Sequence, residues 1–170
     1  MQNVQLLIHG QSLNASTGKT FDRINPIDAS IASTAAAASI ADVDRAIESA
    51  HQAFAVWSAL SPTERRLRLL KAADLMDQKT AQFIQIGMQE TGSTATWYGF
   101  NVHLAANMLR EAAAMTTQID GSIIPSDIPG NLAMGIRSPC GVIVGMAPWN
   151  APIILATRAL AMPLACGNTV

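Results

Sequence analysis

The spacing of apolar and polar positions divides the chain into a strand-rich start, a helical middle and a mixed end. Residues 4–9 predict a first strand that ends in a turn at Gly10. Thr20–Ile24 predicts a second strand, which ends at the turn signal Asn25-Pro26. Residues 30–39 combine Ala, which favours a helix, with Ser, Thr and Ile, which fit a strand edge, and we interpret them as a strand. The start of the chain is therefore expected to be rich in β-structure.

Four helices are predicted in the middle of the chain. From Ala41 the apolar residues recur on one helical face, and Asp42 lies in the first turn, where the helix dipole favours an acidic residue. Residues 61–64, Ser-Pro-Thr-Glu, form a capping box with proline at the first helical position and so mark the start of a second helix. A third helix is expected to stop before Gly92, and a fourth to cover residues 95–119.

The end of the chain predicts a hairpin followed by a strand and a helix. Residues 121–137 contain two strand patterns around the turn formed by residues 127–130, which is typical of a projecting hairpin. Residues 141–147 form a short apolar run rich in Val, and a helix is predicted over residues 152–165. Strand, tight turn and helix in this order begin a nucleotide-binding α/β unit. Thr169 is expected to open the next strand.

These elements predict an α/β fold with an incomplete Rossmann-like parallel sheet. One complete parallel strand cannot bury both of its faces, because a parallel sheet needs several neighbouring strands. We therefore expect the sequence to be a truncated or partial chain.

The composition limits the classes of function open to the chain. Of its 170 residues 49% are hydrophobic, 14% are charged, and the formal net charge is -1. Nucleic acid is not expected as a partner, because the chain has no basic field to attract it. No membrane span is expected either, since the apolar segment 151–166 is interrupted by Thr157 and Arg158 and is shorter than the ~20 residues that a span needs. Residues 1–10 lack the pattern of a secretion signal, and a cytoplasmic location is expected.

The common short motifs of catalysis and nucleotide binding are absent from the sequence. Cys140 and Cys166 have no metal-ligand spacing, so no metal site is expected, and both are interpreted as core residues. The three histidines lie far apart in the sequence, which favours structural or surface roles for them.

Residues 137–170 carry the most specific pattern in the chain. The segments RSPCGV at 137–142, PWNAP at 148–152 and PLACGNTV at 163–170 follow one another in an order and spacing that resemble the aldehyde dehydrogenase superfamily. The resemblance extends to the earlier helices, so that the chain corresponds to roughly the first third of a typical member. Residues 97–127 resemble the branch that includes salicylaldehyde and vanillin dehydrogenases, which act on aromatic aldehydes.

The resemblance implies a covalent oxidation of an aldehyde to its carboxylic acid. A Cys thiolate would attack the aldehyde, a hydride would pass to NAD or NADP, and a Glu-activated water would hydrolyse the thioester. Asn150 would be catalytic, because its side-chain amide would donate to the oxygen that becomes negative after the attack. An Asn helix cap at this position is the alternative. The resemblance also implies a cofactor groove, for which core packing is the alternative, formed by Met146, Ala147, Pro148, Trp149 and Asn150.

The resemblance also implies a domain organisation and an assembly. Residues 1–120 would be the N-terminal part of the cofactor-binding domain, residues 121–137 an oligomerisation hairpin, and residues 138–170 the truncated start of the Rossmann-like unit. The nucleophilic Cys and the catalytic Glu would lie beyond Val170, so that the isolated chain is expected to be inactive. A complete enzyme would be a homodimer or homotetramer. A short non-catalytic assembly or binding module derived from the same fold is the alternative function.

An aromatic substrate is inferred from the helix after the PWN segment. If this helix starts at Pro152, residues next to Asn150 share one face and border the aldehyde. Ala151 is small where many relatives carry a bulky aromatic residue, which leaves space for a ring. For Arg158 a surface or ion-paired position is the alternative. The expected substrate pocket consists of Leu104, Met108, Ala151, Leu155 and Arg158.

Overall fold

The computed structural model describes residues 2–170, which form seven short strands and five helices. The strands are β1 Gln2–Val4, β2 Leu6–Ile8, β3 Gln11–Leu13, β4 Thr20–Ile24, β5 Ile31–Ala36, β6 Ser122–Ile124 and β7 Ala133–Gly135. The helices are α1 Ile40–Ser58, α2 Pro62–Gln78, α3 Thr80–Thr91, α4 Ala95–Met115 and α5 Pro152–Ala165.

The first five strands form two small sheets rather than one. A three-stranded sheet has the order β1-β5-β4, in which β1 runs parallel and β4 antiparallel to β5, and β2 and β3 form a separate hairpin. The single strand predicted over residues 4–9 is therefore wrong. It breaks at Gln5, because Val4 pairs with Ala35 whereas Leu6 pairs with Leu13 in the other sheet.

The predicted helix starts and stops agree with the structure, with two shifts. The Ser61 capping box is confirmed, since the Glu64 side chain accepts from Ser61 N at 2.9 Å and the Ser61 hydroxyl accepts from Glu64 N at 3.2 Å. Helix α1 starts at Ile40, one residue earlier than predicted, behind the N-cap Ser39. Helix α4 ends at Met115 rather than near residue 119.

The core lies where α2, α4 and α5 pack together, and small side chains dominate it. Alanines at most contact positions let the helix axes approach closely, because interaxial distance depends on the side chains between the helices. Helix α1 contributes little to this core, and its predicted apolar face stays largely open, with Val43 48% and Ile47 46% exposed. The buried core residues are Leu69, Ala73, Ala106, Leu109, Ala112, Ala113, Ala161 and Ala165.

The hairpin predicted over residues 121–137 is confirmed as the antiparallel pair β6 and β7. Its side chains point away from the core, with Ile123 77%, Met134 63% and Ile136 80% exposed. No helix within residues 2–170 is both long and apolar enough to cross a membrane.

The strand predicted over residues 141–147 is not formed as a regular strand. Only Val142 makes a bridge, in parallel with Thr169, and residues 143–148 have no regular secondary structure. A strand is defined by its hydrogen-bonded neighbours, and in the described part of the chain only the segment around Thr169 lies alongside. Thr169, expected to open the next strand, takes part only in this isolated parallel bridge.

Candidate active site

The segment of residues 141–148, which follows the hairpin, runs along α5 and ends at the PWN turn. Ile143 N donates to Thr169 O at 2.8 Å, and Thr169 N donates to Gly141 O at 3.1 Å, which is the ladder of a parallel pair. Gly145 lies close against α5, since a Cβ added there would be 3.1 Å from the Cβ of Ala159. Glycine therefore lets the segment approach the helix closely.

Trp149 and Asn150 form the turn between this segment and α5. The N-cap of α5 is Ala151, whose carbonyl accepts the first helical bond from Leu155 N at 3.1 Å, and no side chain caps the helix. The interpretation of Asn150 as a helix cap is therefore wrong. The Asn150 side chain is exposed and makes no hydrogen bond to any group in residues 2–170.

The other residues assigned to the cofactor groove are all exposed beside Asn150. Met146 is 85% and Trp149 is 74% exposed, and Ala147 and Pro148 are exposed between them. Core packing is therefore not their role within the described residues. They form one continuous accessible strip that ends at the free amide of Asn150.

Trp149 also borders a cleft of about 350 Å³ that sequence reasoning did not find. The other lining residues come from β4, the turn after it and the end of α3, which are distant in sequence and carry no common motif. They are Asp22, Arg23, Ile24, Pro26, Glu90 and Thr91.

The residues predicted to form the substrate pocket lie on α4, on α5 and at the N-cap of α5. Leu104 and Met108 are half-buried on α4, and Ala151 and Leu155 are half-buried at the start of α5. Arg158 is exposed and has no ion pair among residues 2–170. The buried faces of the two helices are formed by other residues, among them Leu109 and Ile154.

A buried polar cluster at the far end of α5 was not predicted. Asn168 is buried, with 6% of the residue exposed. Its side-chain oxygen accepts hydrogen bonds from Cys140 N at 2.6 Å and Gly141 N at 3.1 Å, and its side-chain nitrogen donates to Pro163 O at 3.2 Å. Trp57 Nε1 donates to Leu164 O at 3.0 Å, and Arg65 Nε donates to Ala165 O at 3.1 Å. A proline inside the α5 pattern, Pro163, is the one sequence signal that this helix end needs external partners.

A second buried polar group, the Asp42 carboxylate, joins the start of α1 to the loop before β4. It accepts hydrogen bonds from the backbone and hydroxyl groups of Ser39 and Ser16, at 2.9 to 3.2 Å. The backbone N–H of Ser39 is the main cause that lowers the pKa of Asp42 to about 2, and burial opposes this shift. Its role is structural, since it holds the loop and caps the helix.

The residue types that commonly bind metal ions do not come together in the described part of the chain. No cluster of three or more His, Cys, Asp or Glu side chains that could hold a metal ion occurs in residues 2–170. Cys166 is half-buried, but Cys140 is exposed and not a core residue. Its backbone N–H, and not its thiol, donates to the buried Asn168.

The chain belongs to the aldehyde dehydrogenase family, which it matches over residues 13–170. It is 60% identical to the vanillin dehydrogenase of Pseudomonas fluorescens over 170 residues, which are 100% of this chain and 35% of that protein. The family and the α/β fold class inferred from the sequence are thus confirmed.

Solved structures of the family superimpose closely on the chain. The salicylaldehyde dehydrogenase of Pseudomonas putida G7, in complex with salicylaldehyde, has a TM-score of 0.98 at 42% identity and covers 100% of this chain and 35% of its own. An NAD-dependent benzaldehyde dehydrogenase from Corynebacterium glutamicum has a TM-score of 0.92 at 34% identity, over 97% of this chain and 36% of its own. The chain therefore spans about 35% of the length of these relatives.

Proposed function

We propose that the chain is the N-terminal part of an NAD(P)-dependent aldehyde dehydrogenase that oxidises an aromatic aldehyde to its carboxylic acid. Family membership and the relatives that act on vanillin, salicylaldehyde and benzaldehyde support this proposal. Because the chain spans about 35% of those relatives, the activity belongs to the complete enzyme, and the nucleophile and general base are assigned to its remaining part.

The observation that carries the proposal is the free amide of Asn150. An exposed amide at the turn before α5, without a hydrogen-bond partner in residues 2–170, is available to a reacting oxygen. Attack on an aldehyde places negative charge on its oxygen, and a positioned N–H donor stabilises that charge. Loss of one such donor typically costs ~2.7 to 4 kcal/mol of transition-state stabilisation.

The cofactor proposed is NAD, with NADP as the alternative. The exposed strip from Met146 to Asn150 offers an apolar surface next to the oxyanion donor, which suits a nicotinamide ring held beside the aldehyde. When bound, the cofactor supplies the acceptor for the hydride. A cytoplasmic location, where this cofactor is available, is part of the same proposal.

The substrate proposed is a benzaldehyde-like compound. Ala151 leaves space beside Asn150 that a larger side chain would fill, and Leu155 continues this face along α5. Leu104 and Met108 on α4 and Arg158 on the exposed side of α5 are proposed to complete the wall. Within the proposal, residues 1–120 belong to the cofactor-binding domain and residues 138–170 begin its Rossmann-like unit.

Assembly into a homodimer or homotetramer through residues 121–137 is also proposed. The exposed Ile123, Met134 and Ile136 side chains form an apolar surface on two short strands with open edges. Such surfaces commonly pair with another chain.

The experiment that tests the function is steady-state kinetics of the complete enzyme with and without Asn150→Ala. The unsubstituted enzyme is expected to oxidise benzaldehyde with NAD or NADP, at higher kcat/KM than a short aliphatic aldehyde. Asn150→Ala is expected to lower kcat by about 100-fold and to leave the cofactor Kd nearly unchanged, because the amide acts when charge develops.

The control is Asn131→Ala, which removes an exposed amide in the hairpin turn and is expected to leave kcat unchanged. No aldehyde oxidation by the unsubstituted enzyme would refute the proposed function. A kcat within about twofold for Asn150→Ala would refute the oxyanion role alone.

A further inference from the structure

Three consecutive carbonyl groups at the end of α5 each accept a hydrogen bond from a side chain outside the helix, and two of these side chains come from distant parts of the sequence. Asn168 Nδ2 donates to Pro163 O at 3.2 Å, Trp57 Nε1 to Leu164 O at 3.0 Å, and Arg65 Nε to Ala165 O at 3.1 Å. Backbone N–H groups after the helix already cap two of these carbonyls, since Gly167 N donates to Leu164 O at 3.1 Å and Asn168 N to Pro163 O at 3.0 Å. The side chains add a second donor to these two carbonyls and a first one to Ala165 O. We call Trp57, Arg65 and Asn168 the α5 cap cluster.

The cluster holds the last turn of α5 from outside, at a weak point of the helix. Pro163 has no N–H, so the last turn of α5 lacks one of the bonds that normally hold it to the preceding turn. Arg65, 8% exposed, also donates to Leu60 O and thereby ties this turn to the corner between α1 and α2. Its positive charge at the carbonyl end of the helix is favourable as well.

The cluster also holds the segment that leads to the PWN turn. The second end of the Asn168 side chain accepts from Cys140 N and Gly141 N, where this segment begins. Asn150 therefore lies between two elements that are both anchored at the same place. Helix α5 has 14 residues, about 21 Å, and a helix transmits a tilt at one end into a displacement at the other.

We propose that Trp57 and Arg65 are positioning residues for Asn150, which act by fixing α5 and the segment beside it. The proposal rests on the oxyanion role of Asn150 given above. Neither residue touches the turn, and their effect on the reaction passes through the orientation of α5. Catalytic donors need placement within a fraction of an ångström, and a 1 Å error costs as much as ~100-fold in rate.

The test is Trp57→Phe in the complete enzyme, because this change removes the donating N–H and keeps an aromatic ring. We expect kcat to fall by about tenfold, within the range that misplacement of a catalytic group produces. The matched control is Trp97→Phe, since Trp97 is 48% exposed on α4 and its indole N–H makes no hydrogen bond within residues 2–170. The control is expected to keep the kcat of the parent.

A second test substitution with its own control keeps the proposal testable if Trp57→Phe fails to fold. Arg65→Lys keeps the positive charge, but the ammonium group of Lys lacks the planar guanidinium that donates to both Ala165 O and Leu60 O. We expect a loss of kcat similar to that of Trp57→Phe. Its control is Arg66→Lys on the exposed side of α2, which is expected to have no effect.

The decisive measurement repeats both substitutions in the Asn150→Ala background. A positioning role predicts that Trp57→Phe and Arg65→Lys cause no further loss of kcat once the amide is gone, because interacting residues are not additive. The proposal would be overturned if Trp57→Phe and Arg65→Lys lowered kcat by the same factor with and without Asn150→Ala. It would also be overturned if both substitutions alone left kcat at the value of the parent. These outcomes test the positioning role when the parent enzyme is active and Asn150→Ala lowers its kcat. An inactive parent would instead refute the proposed function. An Asn150→Ala variant with the kcat of the parent would refute the oxyanion role, and the positioning role with it.

Discussion

At the scale of single residues, Asp42 gives the chain a specific acid sensitivity. Its carboxylate has a pKa of about 2 in the folded state, chiefly because Ser39 N donates to it, against 3.8 for the ordinary side chain. The stabilisation is therefore fully present above pH ~4 and is lost as the pH falls through about 2, since a proton must be removed to form these bonds.

We expect Asp42→Asn to lower the melting temperature of the complete protein at pH 7 and the difference from the parent to narrow between pH 4 and pH 2. The measurement is thermal unfolding across this pH range. The control, Asp44→Asn, changes an exposed carboxylate in the same helical turn and is expected to follow the parent. If the difference in melting temperature between Asp42→Asn and the parent stayed constant from pH 7 to pH 2, the contribution of Asp42 to stability would not depend on its charge.

Gly87 shows how a single missing side chain permits the contact between α3 and α4. A Cβ at this position would lie 2.0 Å from the ring carbon Cζ of Tyr98, which is itself buried. Gly87→Ala is expected to destabilise the protein by ~1 to 3 kcal/mol, because the ring and α3 must move apart.

The measurement is denaturant unfolding, with Gly99→Ala on α4 as the matched control. There an added Cβ would be 3.3 Å from Cδ1 of Ile84, the mobile end of a side chain, so the change is expected to be neutral or to stabilise by up to ~1 kcal/mol through helix propensity. Equal effects of the two substitutions would contradict the steric account of Gly87.

At the scale of secondary-structure elements, helix ends were predictable where the sequence carries a local signal. Residues 61–64 mark the start of α2, and Gly92, with φ 68°, marks the end of α3. The start of α1 was predicted one residue late, because Ser39 and Asp42 form a capping box with Asp in place of the usual Glu. The end of α4 was placed too late, since Thr116 ends the helix by donating to Ala113 O, a bond that the apolar pattern does not reveal.

Strands were predicted less well because their identity depends on partners that are distant in sequence. Residues 4–9 have one continuous β pattern, yet Gln5 separates strands of two sheets. Residues 141–147 have the composition of a buried strand but pair only through Val142. Of the candidate site, the PWN turn could be found from the sequence, whereas the α5 cap cluster joins positions as far as 107 residues apart and could not.

At the scale of the whole molecule, the exposed hairpin makes assembly testable. Ile123 pairs with Met134 across β6 and β7, and both side chains are exposed. The complete enzyme is expected to sediment as a homodimer or homotetramer at micromolar concentration. Ile123→Lys is expected to weaken assembly about 30-fold, which corresponds to ~2 kcal/mol for one apolar anchor at an interface.

The control is Ile40→Lys, which adds the same charge at a position 83% exposed at the start of α1. It is expected to leave the sedimentation profile unchanged. A complete enzyme that is monomeric before any substitution would contradict the role assigned to the hairpin.

The parallel pairing of β1 with β5 has a practical consequence for handling the protein. Gln2, Asn3 and Val4 pair with Ser33, Thr34 and Ala35, so the start of the chain is built into a sheet. Trimming these residues would leave one side of β5 with unpaired backbone groups, which invites strand exchange between molecules.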